Sequence, residues 1–143
     1  MKTIADFDMT PASRIYGISN TPLFLIRKLQ MDPTVKELSD SLSGEQIVEA
    51  IRVAVSKEPE NPVEAVLPYA LLVALWFKPK VEYLQQAATF GASAYSWFHF
   101  IAEVLIEKFS PIQRQMIQVP GQLSAAAINI TSSAPASRII LAS

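Results

Sequence analysis

The chain has 143 residues, of which 50% are hydrophobic and 17% charged, with a formal net charge of −1 and no cysteine. That length carries one domain with its own core, and a charged fraction below the usual ~25% leaves little solvating surface to spare. The absence of cysteine excludes disulfides, thiolate metal sites and cysteine nucleophiles, and the balanced charge argues against whole-molecule attraction to nucleic acid or anionic lipid.

The opening segment MKTIADFDMTPASR carries Asp6 and Asp8 and no apolar run, so no secretory signal is predicted. The expected setting is the cytoplasm or the inside of an assembled particle. Pro11, Gly17 and the SNTP turn punctuate residues 1–20, which predicts an extended N-terminal arm.

Thr21 followed by Pro22 predicts a helix start leading into LFLIRKLQ. Asp32 and Pro33 repeat the device for a short helix ending near Leu42, with Val35, Leu38 and Leu42 on one face. Ser43 and Gln46 make a capping box, and Leu42 with Ile47 a hydrophobic staple. That helix is expected to reach about Lys57, burying Ile47, Ile51, Ala54 and Val55 and turning Glu45, Glu49 and Arg52 outward.

Asn61, Pro62 and Glu64 predict the next helix start. Its body, AVLPYALLVALWF from Ala65 to Phe77, has no charged side chain on any face. A helix apolar all round is one surrounded by protein. Pro68 removes one internal hydrogen bond and is expected to kink the helix. A further helix is expected from Pro79 to Phe90, with Val81, Leu84 and Ala88 as its stripe and Gly91 as its stop. Ser93 is read as the cap of a last helix running to about Phe109. The apolar stretch from Ala87 to Ile106 is interrupted by Ser93, Ser96, His99 and Glu103, so no membrane span is predicted.

Residues 111–143 contain Arg114 and Arg138 and no acidic side chain. AINIT and RIILA within them are strand-prone, separated by SSAPAS. An exposed, unpaired tail of this kind invites aggregation, so it is expected to dock on its own domain or on a neighbouring chain. The fold class expected is mostly α: an N-terminal arm over 1–20, a compact bundle of five to six helices over 21–110, and an apolar C-terminal tail over 111–143 able to form short β-strands.

The last helix carries two apolar stripes. Phe98, Ile101, Ala102, Leu105 and Phe109 form one, with Tyr95 and Ile106 at its edge, and this reads as core. Trp97, Phe100 and Val104 form another, either wedged between neighbouring helices or meeting a partner. His99, Glu103 and Glu107 occupy the polar strip at four-residue steps. One histidine and two carboxylates on a single helix make a poor metal site, and the strip reads as solvated surface. FGASAYS, from Phe90 to Ser96, is neither a P-loop nor a dinucleotide fingerprint, and no serine sits in a G-x-S-x-G elbow. Arg27-Lys28 and Lys78/Lys80 are too sparse for a nucleic-acid footprint. No catalytic, cofactor-binding or metal-ligating residue is assigned, and no cofactor is expected.

The chain therefore reads as a non-enzymatic structural or assembly subunit. It would self-associate or pack in a larger complex, such as a virus particle or filament, with copies of itself as the simplest partners. The expected interface residues are Trp97, Phe100 and Val104 on the helix and Ile128, Ile130, Ile139, Ile140 and Leu141 in the tail. The alternative is a helical bundle enclosing an apolar small-molecule pocket among Trp76, Phe77, Tyr83, Trp97 and Phe100, as a sensor or small enzyme.

Overall fold

The computed structural model describes residues 2–90, 95–107 and 109. They fold into helices with no strand among them. A 3₁₀ turn at Ile4–Asp6 precedes α1 (Thr10–Ile18), α2 (Pro22–Gln30), α3 (Pro33–Ser41), α4 (Gly44–Ala54), α5 (Pro62–Trp76), α6 (Val81–Ala88) and α7 (Phe98–Ile106). These elements belong to one compact unit, Met1–Lys108. The expected tail strands lie outside the described residues.

Local chemistry starts four of these helices. The Thr21 hydroxyl accepts from the Phe24 amide at 3.1 Å, and the Asp32 carboxylate from the Thr34 amide at 2.9 Å. Ser43 and Gln46 exchange both bonds of the capping box, at 3.1 and 2.8 Å. Asn61 accepts from the Glu64 amide at 2.9 Å. Each bond satisfies one of the amides that a helix start leaves without an internal partner. At the other end of α3, the Lys78 ammonium donates to the Leu42 carbonyl at 2.8 Å, placing a cation where the helix dipole is negative.

α5 is the axis of the bundle. Ten of its residues are buried, from Ala65 to Leu75 with only Leu67 partly exposed, and all six other helices contact it. The expectation of a surrounded helix is met. Around it are packed Leu25, Ile26 and Leu29 of α2, Val35 and Leu38 of α3, Ile47 and Ile51 of α4, and Val81, Leu84 and Ala87 of α6. α7 adds Phe98, Ile101, Ala102 and Leu105, all fully buried. Burying one Leu, Ile or Phe side chain is worth about 1.5–3 kcal/mol. Several such residues outweigh the ~3 kcal/mol that an interior proline costs, and α5 runs unbroken through Pro68.

Four expectations are corrected. The segment 1–20 is not extended throughout, because α1 occupies Thr10–Ile18 and packs against α5. Its N-cap, Met9, offers no side-chain bond; Asp8, one residue earlier, accepts from the Thr10 amide at 3.0 Å, and Pro11 sits in the first turn. The helix read from Pro79 starts at Val81, because Pro79 and Lys80 remain in the connection. The last helix starts at Phe98 rather than at Ser93. Tyr95 is drawn into the core ahead of it, and Ser96 and Trp97 form the turn that makes this possible. Ser93 and Gly91 themselves lie outside the described residues. α4 also ends at Ala54, short of Lys57, leaving Ala54 and Val55 only half-buried.

Candidate functional site

Tyr69 is the only side chain with a hydrogen-bonding group in the apolar body of α5 between Ala65 and Leu75, and it is almost fully buried. A buried hydroxyl needs polar company. The ring of Tyr16, from α1, stacks on it with centroids 5.9 Å apart and planes 23° from parallel. The ring of Tyr95 meets it edge-on, also at 5.9 Å and at 83°. Both arrangements are favourable for aromatic quadrupoles. Three tyrosines from α1, α5 and the segment before α7 thus form one column.

Tyr95 has a second task. Pro68 has no amide hydrogen, so the Glu64 carbonyl, four residues earlier, loses its helical donor. Ala54 ends α4, where carbonyls also lack helical partners. The Tyr95 hydroxyl lies 3.3 Å from the Glu64 oxygen and 3.4 Å from the Ala54 oxygen, and donates toward both. One long, shared hydrogen bond thereby ties α4, α5 and the entry to α7.

Burial pushes the Tyr69 hydroxyl up to about 12, by penalising its anion. A main-chain amide bond from Trp97 opposes this, while the neighbouring Tyr16 and Tyr95 add to it. Tyr95 is raised as well, first by burial and then by the nearby Glu64 carboxylate. Both phenols are therefore held neutral at ordinary pH.

The column opens on one side into a cleft of about 350 Å³ lined by Tyr16, Gly17, Ser19, Tyr69, Ser96 and Trp97. A second depression, about 440 Å³ and mostly apolar, lies between the 3₁₀ turn and α4, with Ile4, Leu42 and Ala50 in its wall and Glu45 and Glu49 among its lining. Both carboxylates are occupied: Glu45 accepts from the Tyr83 hydroxyl at 3.0 Å, and Glu49 from Arg52. Among the described residues no group of three or more potential metal ligands converges. His99 and Glu103 stand exposed on α7, and Glu107 is exposed just after its end.

Of the expected interface, Phe100 stands 49% exposed, and Trp97 and Val104 are half-buried beside it. The opposite side of α7 is the buried stripe already described. Ile128, Ile130, Ile139, Ile140 and Leu141 lie outside the described residues. The five aromatic residues expected around an apolar pocket, Trp76, Phe77, Tyr83, Trp97 and Phe100, have these neighbours. Trp76 and Phe77 pack edge to face at 4.9 Å, and Tyr83 covers Gly44 on α4. Trp97 alone of the five lines the tyrosine cleft. That column was missed because its members are far apart in the chain. The signal was present: a tyrosine beside a proline in an otherwise apolar helix demands hydrogen-bonding company. No helix among the described residues is long and apolar enough to cross a membrane. No family model, curated protein or solved structure matches the chain.

Proposed function

We propose that the chain is a non-enzymatic assembly subunit that self-associates through the Trp97, Phe100 and Val104 side of α7, with its apolar C-terminal segment as a second contact. The observation that carries this reading is Phe100, a large aromatic side chain left 49% exposed on a helix whose other side is already committed to the core. Aromatic residues of this kind anchor interfaces once desolvated. The low charged fraction, 17%, supports the same reading. So do Ile18 and Met31, exposed by 72% and 76%.

The test is the native mass of the full chain by analytical ultracentrifugation over a wide concentration range. The expected result is a mass above one chain that falls toward one chain for Phe100→Asp, with the helical circular dichroism unchanged. A wild-type monomer at every concentration overturns the reading. Deleting residues 111–143 measures the second contact, and retained assembly would place the interface on α7 alone.

The second reading, a small-molecule binder, has one specific observation in its favour: the apolar depression beside α4. A saturable signal from an apolar fluorescent probe, lost on Ala50→Trp, supports it. No saturation removes it.

A further inference from the structure

The face of α7 that carries Phe100 is acidic as well as apolar. Glu103 and Glu107 follow Phe100 at helical spacings that place all three on one strip, and all three are exposed. From Trp97 to Glu107 the chain has no lysine or arginine. Packing this face on the same face of another copy would gather like charges around Phe100, with no cation from either helix to offset them. An apolar face of opposite charge is the better complement.

α2 presents such a face. Leu25, Ile26 and Leu29 take its buried side, which leaves Leu23, Phe24, Arg27, Lys28 and Met31 on the other. Leu23 is 44% exposed and Met31 76%. Phe24 is half-buried, with the Lys28 ammonium 5.5 Å from its ring centre. A solvent-facing helix side is ordinarily polar, so this mixture of apolar and cationic groups asks for a cover. The stretch from Met9 to Met31 contains Arg14, Arg27 and Lys28 and no acidic residue. α2 and α7 touch in the fold. Yet among the described residues Arg27, Lys28, Glu103 and Glu107 enter no ion pair, unlike Lys36 with Asp40 or Lys57 with Glu64. The opposite charges of the two helices do not meet within one copy.

We propose, on the footing of the self-association argued above, that the α7 face of one copy packs on α2 of another. Phe100 and Val104 lie against Leu23, Phe24 and Met31, while Glu103 and Glu107 oppose Arg27 and Lys28. The apolar groups supply the desolvated centre, and the charges at its edge fix the register and disfavour α7 on α7.

The experiment is charge reversal followed by mixing, with the full chain in the analytical ultracentrifuge. One variant carries Arg27→Glu and Lys28→Glu, the other Glu103→Lys and Glu107→Lys. All four positions are exposed, and circular dichroism checks that each variant folds. Each variant alone is expected to self-associate about tenfold or more weakly than wild type. An equimolar mixture is expected to regain the wild-type mass, because every contact then joins either two native faces or two reversed ones. That holds for a closed pair and for a longer chain of copies alike. Should a doubly reversed variant fail to fold, Arg27→Glu with Glu103→Lys makes the same cross. Wild-type mass kept by the α2 variant overturns the proposal and leaves self-association through α7 standing. So does a mixture that stays dissociated. A wild-type chain that is monomeric at every concentration overturns this proposal and the self-association together.

Discussion

Gly44 opens α4 with the ring of Tyr83 directly over it: a Cβ there would stand 2.2 Å from the tyrosine Cε2. The ring is moored by its hydroxyl bond to Glu45, so it can move aside only by giving up that bond and its packing. Gly44→Ala is therefore expected to destabilise the fold by about 1–3 kcal/mol. In a Tyr83→Ala background the same change should be nearly neutral, and urea unfolding of the four proteins measures the coupling. Tyr95→Phe removes the donor from the Glu64 and Ala54 carbonyls and is expected to cost about 1 kcal/mol. Pro68→Ala restores an amide to the Glu64 carbonyl, so the Tyr95→Phe cost should shrink in that background. Tyr69 carries a pH signature. Its pKa is raised by folding, so its contribution is complete below its ordinary value of 10.0 and is lost as pH rises toward about 12. The limiting slope for this one proton is about 1.4 kcal/mol per pH unit. Thermal unfolding between those pH values should show the decline, and Tyr69→Phe should flatten it. A decline of the same size in the variant would assign it to other groups.

Caps decided how legible each helix was. α2, α3, α4 and α5 start where a hydroxyl, carboxylate or amide side chain stands just before the first turn, because those interactions span three residues or fewer and survive any tertiary context. Like α6, which starts later than expected, α1 and α7 have caps without side-chain bonds: the sequence reading has no helix at α1 and starts α7 too early. α1 was the harder of the two: only Ala12 is buried, so its apolar stripe is faint, and Pro11 and Gly17 resemble loop residues. The Asp8 side chain at the Thr10 amide was the available clue. At α7 the stripe of Phe98, Ile101, Ala102 and Leu105 was correctly identified from its spacing, while its start was not, since the burial of Tyr95 is a tertiary matter. Of the candidate site, the Trp97, Phe100 and Val104 grouping could be read from helical periodicity. The column of Tyr16, Tyr69 and Tyr95 could not, because nothing local links residues on different elements. The caps also give a prediction for the central element. Asn61→Ala removes the oxygen that accepts from the Glu64 amide and is expected to cost about 1 kcal/mol of global stability, read as a lower urea midpoint with unchanged slope.

At the scale of the molecule, half the residues are hydrophobic, and α5 alone carries an unbroken apolar surface in every direction. Six helices enclose it, yet Phe100, Ile18 and Met31 still face outward. That surplus, rather than any catalytic grouping, is what points toward association with other chains. The enclosed α5 also bears on biosynthesis. When the first four helices leave the ribosome, the rod they must wrap is still inside the exit tunnel, and when it emerges the faces that α6 and α7 cover stay bare until those helices follow. Synthesis at ~5–20 residues per second leaves that sticky intermediate exposed for seconds. A nascent chain of this design would therefore lean on holding chaperones, and slowing translation at the point where α5 has cleared the tunnel but α6 and α7 are still inside it should lower the soluble yield more than slowing it upstream.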